Sequence, residues 1–98
     1  MKIITLCGSM RFKNEMINIA AELELNGDVA IQCIYFPQNK KLSDFELEML
    51  SKLHYKKIEI SDAIYVVNLN GYIGESTKSE IEYARSLNKE ILSLEPLC

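Results

Sequence analysis

The sequence has few of the residues that build metal sites and disulfide frameworks. It contains one histidine and three cysteines in 98 residues. Cys7, Cys33 and Cys98 are far apart, and no two of them form a CxxC pair. Zinc sites usually show closely spaced ligands, and disulfide frameworks an even number of cysteines. We therefore expect no metal, no cofactor and a reducing, cytoplasmic setting.

A long apolar run and an excess of positive charge are also missing. The first apolar run, IITLC, meets Gly8 and is too short for a signal peptide or a membrane span. Eleven lysines and arginines against 14 acidic residues give a formal charge of −3. Without a basic field, neither a nucleic acid polymer nor a membrane is an expected partner. A small anionic metabolite needs only a few local donors and remains an expected one.

Apolar segments of two kinds alternate along the chain. Short apolar runs predict buried strands over Lys2–Cys7 and Ala63–Asn68 and further strands over Val29–Phe36 and Glu90–Leu94. Helical spacing predicts helices over Met10–Asn26, from Ser43-Asp44 to about Ile60, and over Ser76–Asn88. This alternation predicts one α/β domain over residues 1–98. The expected fold is a small doubly wound, Rossmann- or flavodoxin-like parallel sheet of about four strands, in the order 2-1-3-4, with helices on both faces.

In such folds, ligands bind at the carboxyl edge of the sheet, between strands 1 and 3. After strand 1 the chain reads CGSMR, where Gly8 permits a tight turn, Ser9 is a natural helix cap and Arg11 adds a cation. These groups can hold a phosphate or a sugar hydroxyl. They are equally explained by an ordinary strand–turn–helix connection. Asn68 ends strand 3, where its amide either orients a ligand or bonds the loop backbone.

Glu80 has two competing explanations. The stretch Thr77-Lys78-Ser79-Glu80 fits a capping box, in which the glutamate reaches back to the start of the helix. Alternatively, a carboxylate in the first helical turn stays ionised near the positive end of the helix. Placed over the carboxyl edge of the sheet, it can attack an electrophilic sugar carbon.

His54, the single histidine, lies at the edge of the apolar face of the second predicted helix, in line with Leu50 and Ile58. A structural boundary residue is one explanation. However, two helical turns before Asp62 correspond to about 12 Å, which brings the imidazole toward the carboxyl edge. There His54 is a candidate for proton transfer near neutral pH.

Three motifs together resemble the nucleoside 2-deoxyribosyltransferase superfamily, including its branch of 2′-deoxynucleoside 5′-phosphate N-hydrolases. They are CGSMR, SDAIYVVN and GESTKSEIEYA, in the family's order and spacing over nearly the whole chain. The resemblance implies that Glu80 attacks the anomeric carbon and forms a glycosyl-enzyme ester, which water or a second base resolves. It also implies that the substrate is bound by Gly8, Ser9, Arg11, Asn68, Gly74, Ser76 and Thr77.

Two positions depart from the family's pattern. Thr5 stands where the first strand usually carries a tyrosine that bonds the nucleophile, and His54 stands where an aspartate assists the leaving base. A histidine can also protonate a departing base. The chain is shorter than most family members, so either a second subunit completes the pocket wall or the site is open and slow, and a homodimer is the expected assembly.

The expected function is N-glycosidic bond cleavage or deoxyribosyl transfer on a nucleoside or a nucleoside 5′-monophosphate. One alternative is a domain of the same fold that binds such a ligand without cleaving it. A partner-binding domain with no small-molecule ligand is the third possibility.

Overall fold

The computed structural model describes residues 1–37 and 39–97, so Gln38 and Cys98 lie outside the described residues. In the described part of the chain, four strands alternate with three α-helices. The strands are β1 (Ile3–Gly8), β2 (Val29–Ile31), β3 (Ala63–Val67) and β4 (Glu90–Ser93). The helices are α1 (Lys13–Leu25), α2 (Asp44–Glu59) and α3 (Glu75–Ser86). Short 3-10 turns cover Met10–Phe12 and Leu69–Gly71.

The strands form one parallel sheet in the order β2-β1-β3-β4, which confirms the predicted fold class and strand order. Thr5 lies at the centre, paired with Ile31 on one side and Ile64 on the other. The chain moves outward from β1 to β2 and then returns past β1 to β3. Right-handed crossovers in these two directions put the connecting helices on opposite faces.

The core has one apolar layer on each face of the sheet. Leu6 and Cys7 are neighbours in β1 and point to opposite faces, as the pleat of a strand requires. The layer beneath α1 contains Leu6, Phe12, Met16, Ile19, Ala20 and Val67. The layer beneath α2 and α3 contains Cys7, Ile58, Ile64, Val66, Ile81 and Ala84. The sheet is therefore covered on both sides, with the carboxyl ends of its strands left accessible.

The second strand is shorter than predicted. The apolar run extends to Phe36, but β2 ends at Ile31. The next carbonyl, that of Gln32, accepts a hydrogen bond from Lys57 Nζ at 2.8 Å instead of one from a neighbouring strand. The segment from Cys33 to Phe36 consequently leaves the sheet, and its side chains become available to line a cleft.

The helix boundaries follow local capping chemistry. Ser43 and Glu46 form a reciprocal capping box at the start of α2, and α3 ends before Asn88, which adopts a positive φ of 58°. The first three residues predicted for the first helix form a 3-10 turn instead, capped by Ser9, which accepts a hydrogen bond from the Arg11 amide at 3.3 Å. Within residues 1–37 and 39–97, no helix combines the length and apolar character that a membrane crossing requires.

Candidate active site

A cleft of about 990 Å³ opens at the carboxyl edge of the sheet. The end of β1 forms its floor, while the segment after β2, the α2 helix and the start of α3 form its walls. The fold therefore has its cleft where doubly wound sheets bind ligands. The predicted site residues that line this cleft are Gly8, Ser9, His54, Gly74, Ser76, Thr77 and Glu80.

Gly8 lets the floor of the cleft pack closely against β3. A Cβ atom at this position would lie 3.1 Å from the Val67 carbonyl oxygen and 3.3 Å from Met16 Sδ. Both distances are shorter than ordinary van der Waals contacts. Glycine is therefore favoured at position 8 because Val67 and Met16 lie close to its backbone. The tight-turn conformation suggested by the sequence is not the reason.

The start of α3 presents unbonded backbone amides to the cleft. Gly74 is the N-cap, and no side chain within residues 1–37 and 39–97 caps this helix end. The first backbone hydrogen bond of α3 runs from the Lys78 amide to the Gly74 carbonyl at 3.0 Å. The amides of residues 75–77 precede it, so they are free to bind an anion or a hydroxyl oxygen of a ligand.

The predicted capping box at the start of α3 is wrong. Because the helix begins at Glu75, Thr77 is its third residue and Glu80 its sixth. Glu80 therefore lies in the second turn of α3. It neither caps the helix nor lies in its first turn, so both positions predicted from the sequence are wrong. A structural role as a cap no longer explains this carboxylate.

Glu80, His54 and Cys7 meet at the base of the cleft, although they come from α3, α2 and β1. The His54 Nε2 atom lies 3.5 Å from Glu80 Oε1 and 3.6 Å from Cys7 Sγ. The side chains of His54 and Glu80 are only 12% and 17% exposed. A carboxylate and an imidazole are thus held together in a largely water-shielded position at the edge of an open cleft.

Cys7 stays protonated in this arrangement. Burial raises the pKa of the Cys7 thiol well above its ordinary value, and the neighbouring negative charge of Glu80 raises it further. The thiol therefore acts as a neutral neighbour of Glu80 and as a weak hydrogen-bond donor.

Thr5 does not contact Glu80 in the way that the family's tyrosine would. Its buried hydroxyl lies 2.6 Å from Ser61 Oγ and donates to the Lys57 carbonyl at 3.1 Å. These bonds tie β1 to the end of α2. The side chain of β1 that approaches Glu80 is Cys7, two residues further along the strand.

Two predicted binding residues, Arg11 and Asn68, are not among the described residues that line the cleft. The Arg11 guanidinium stacks on Tyr72, 3.9 Å from the ring centroid. The Asn68 amide is buried and bonds the backbone of Glu95 twice, at 3.0 and 2.9 Å. The loop-bonding alternative therefore describes Asn68, and the geometry offers no support for its contact with a substrate.

The cleft also contains residues that were not predicted from the sequence as site residues. Lys13 lines it, with its Nζ atom 5.4 Å from the centre of the Tyr35 ring. The Tyr35 hydroxyl and His54 Nδ1 are buried and have no hydrogen-bond partner within the described part of the chain. A lysine in the first turn of a helix and a tyrosine in an apolar run carry no distinctive signal, which explains why neither was found.

No protein-family model matches the sequence, and no curated protein matches it significantly. Among solved structures, the chain is similar to a conserved protein from Enterococcus faecalis, with a TM-score of 0.63 and 12% identity over 95% of this chain. It is also similar to the CMP N-glycosidase BcmB of Clostridium botulinum, with a TM-score of 0.62 and 19% identity over 94% of this chain. The chain spans 62% of the first protein's length and 67% of the second's. The likeness is one of fold, and at that level it confirms the predicted resemblance.

Proposed function

We propose that the protein cleaves the N-glycosidic bond of a nucleoside or a nucleoside 5′-monophosphate, with Glu80 as the nucleophile. The observation that carries this proposal is the Glu80 carboxylate itself, shielded at the base of the cleft, 3.5 Å from the only histidine of the chain. A nucleophile beside a proton donor is the pair that the reaction needs.

In the proposed mechanism, Glu80 attacks C1′ of the sugar and an ester bond forms between them. The C1′–N bond breaks, and the base leaves with a proton supplied by His54. Water then gives a proton to His54 and attacks C1′, which releases the sugar and restores Glu80. Two displacements at the same carbon give retention. A second base in place of water gives deoxyribosyl transfer.

A substrate with a 5′-phosphate has suitable partners at the rim of the cleft. The amides of residues 75–77 and the hydroxyls of Ser9, Ser76 and Thr77 offer neutral donors, and Lys13 offers a positive charge. Helix starts with free amides favour anions. A protein of similar fold is described as a CMP N-glycosidase, and this likeness supports pyrimidine 5′-monophosphates as candidate substrates.

Release of free base tests the proposal. Purified protein is incubated with ribo- and deoxynucleosides and with their 5′-monophosphates, CMP included, and the free base is followed by chromatography. Glu80→Gln is expected to lower the rate on the order of 10³-fold or more, because the variant cannot form the ester. Glu82→Gln, on the exposed face of the same helix, is the matched control. Equal rates for Glu80→Gln and the wild type would remove Glu80 from the mechanism.

A second candidate, ligand binding without cleavage, is favoured by the contacts of Thr5. Its hydroxyl is engaged with Ser61 and Lys57, so Glu80 lacks the hydroxyl donor found in the family that the sequence resembles. This candidate predicts saturable nucleotide binding with no base released from any member of the panel. Base release that depends on Glu80 would exclude it.

We also propose that the protein is a homodimer and that α2 contributes to the interface. Phe45, Met49 and Leu53 recur every four residues along α2 and are 76%, 44% and 49% exposed. Side chains at this spacing form one stripe on a helix, and a stripe of this kind is a typical protein contact. We also propose a reducing, cytoplasmic setting, because the three cysteines are odd in number and far apart in the sequence.

A further inference from the structure

The thiol, imidazole and carboxylate at the base of the cleft also match the donor set of a metal site. Cys7 Sγ, a ring nitrogen of His54 and a carboxylate oxygen of Glu80 all lie within 4.8 Å of one another. Nε2 of His54 is 3.6 Å from the sulfur and 3.5 Å from Oε1. Donors at zinc bond lengths around one tetrahedral ion lie roughly 3.3–3.6 Å apart. These two separations already agree with a single coordination shell.

We propose that Cys7, His54 and Glu80 bind one zinc-class divalent cation. Sulfur, imidazole nitrogen and carboxylate oxygen are the three donor types that zinc takes in proteins. The residues lie on β1, α2 and α3, and all three are largely withdrawn from solvent. Since His54 and Glu80 also line the cleft, the fourth coordination position faces the space where a small ligand or water enters. As the metal–sulfur bond forms, the Cys7 proton passes to solvent.

A bound cation would inhibit the proposed reaction, an extension that rests on the proposed function. The Glu80 carboxylate that attacks C1′ would be a metal ligand and therefore a weaker nucleophile, and the His54 nitrogen that protonates the base would be coordinated as well. Zinc and substrate therefore compete for the same groups. We expect zinc to inhibit base release, and a chelator to restore it.

Cobalt and zinc titrations test the site without reference to activity. The chelator-treated Cys33→Ser/Cys98→Ser double variant keeps Cys7 as its single thiol. We expect it to bind one equivalent of Co²⁺, with a sulfur-to-cobalt charge-transfer band and tetrahedral d–d absorption that Zn²⁺ displaces. A double variant that shows no such spectrum, or whose spectrum corresponds to octahedral cobalt without sulfur, overturns the proposal.

Single substitutions then assign the ligands. Cys7→Ser is expected to remove the charge-transfer band, and Cys7→Ser, His54→Ala and Glu80→Gln are each expected to weaken zinc binding by more than about tenfold. Glu82→Gln is the matched control and should bind as the wild type does. Circular dichroism verifies that each variant is folded. If Cys7→Ser does not fold, Glu80→Gln still tests the site, because it preserves the shape of the side chain. Unchanged zinc affinity in Glu80→Gln and His54→Ala overturns the proposal.

The two proposals fail in distinguishable ways. A protein that binds zinc through Cys7 but releases no base from any substrate has the metal site and lacks the proposed activity. A protein that releases base through Glu80 and binds no cobalt or zinc has the activity and lacks the metal site.

Discussion

Gly8 lies at the end of β1, where the backbone approaches β3 too closely for a larger residue. We expect Gly8→Ala to lower the free energy of unfolding by about 1–2 kcal/mol, because the new Cβ forces Val67 or Met16 to move. Urea unfolding followed by circular dichroism measures the change. Gly8→Val is the comparison, because its larger side chain must displace more of Val67 and Met16 and should lower the free energy of unfolding further. Equal losses in both variants would contradict the close-approach argument.

The buried thiol of Cys7 predicts a loss of stability at alkaline pH. The pKa of Cys7 is raised in the folded protein, whereas a thiol in the unfolded chain titrates near 8.5. Below that pH both states keep the proton, and stability is unaffected. Above it, only the unfolded chain loses the proton, so the free energy of unfolding falls by at most about 1.4 kcal/mol per pH unit.

Urea unfolding between about pH 7 and pH 9 measures this slope before most of the tyrosines, with an ordinary pKa of about 10, begin to titrate. The Cys7→Ser variant should be less stable throughout and should show a flatter decline above pH 8.5. An equally steep decline in the variant would assign the effect to another group.

Glu80 and His54 could be selected from the sequence as candidate site residues, whereas the residues around them could not. Glu80 and His54 stand out because one follows a small-residue loop and the other is a lone histidine on a helix. Cys7 gave no comparable signal, because a cysteine at the end of an apolar strand is typical of a small core residue. Its contact with His54 depends on how α2 crosses the sheet, which no local pattern specifies.

At the scale of elements, α2 carries both a wall of the cleft and the exposed stripe of Phe45, Met49 and Leu53. We expect the wild type to be a dimer and Met49→Lys to weaken dimerisation at least about a hundredfold, since each interface would bury two charged side chains in place of two apolar ones. Sedimentation over a range of concentrations gives the mass. Ile17→Lys, at a 40% exposed position on α1, is the control. A wild type that is monomeric at every concentration would contradict the proposed dimer.

The second strand shows which part of an element an apolar pattern predicts. The run from Val29 to Phe36 predicted one strand, but only its first three residues are paired with β1, and Val29, Ile34 and Phe36 are exposed. Apolar side chains indicate an apolar environment, whereas a strand also requires a hydrogen-bonding partner for its backbone at each position. The Lys57 ammonium supplies a partner for the Gln32 carbonyl, and this single long-range bond is invisible to periodicity.

At the scale of the whole molecule, the cleft joins parts of the chain that are far apart in sequence. Its floor comes from β1 and its walls from the segment after β2, α2 and α3, so a ligand that spans it stabilises all of them against unfolding. A ligand at 100 times its dissociation constant adds about 2.7 kcal/mol. We expect turnover to be blocked in the Glu80→Gln variant, so its thermal unfolding should report binding alone.

We expect nucleoside 5′-monophosphates to raise the unfolding midpoint of Glu80→Gln more than the matching nucleosides do. The added phosphate can bind the free amides at the start of α3 and the ammonium of Lys13. Adding Lys13→Gln should remove much of this difference while leaving stabilisation by the nucleoside unchanged. Lys78→Gln, which removes an exposed charge on α3, is the control for net charge. If nucleosides and monophosphates stabilise equally in every variant, the phosphate lies outside the cleft, and the substrate is a nucleoside.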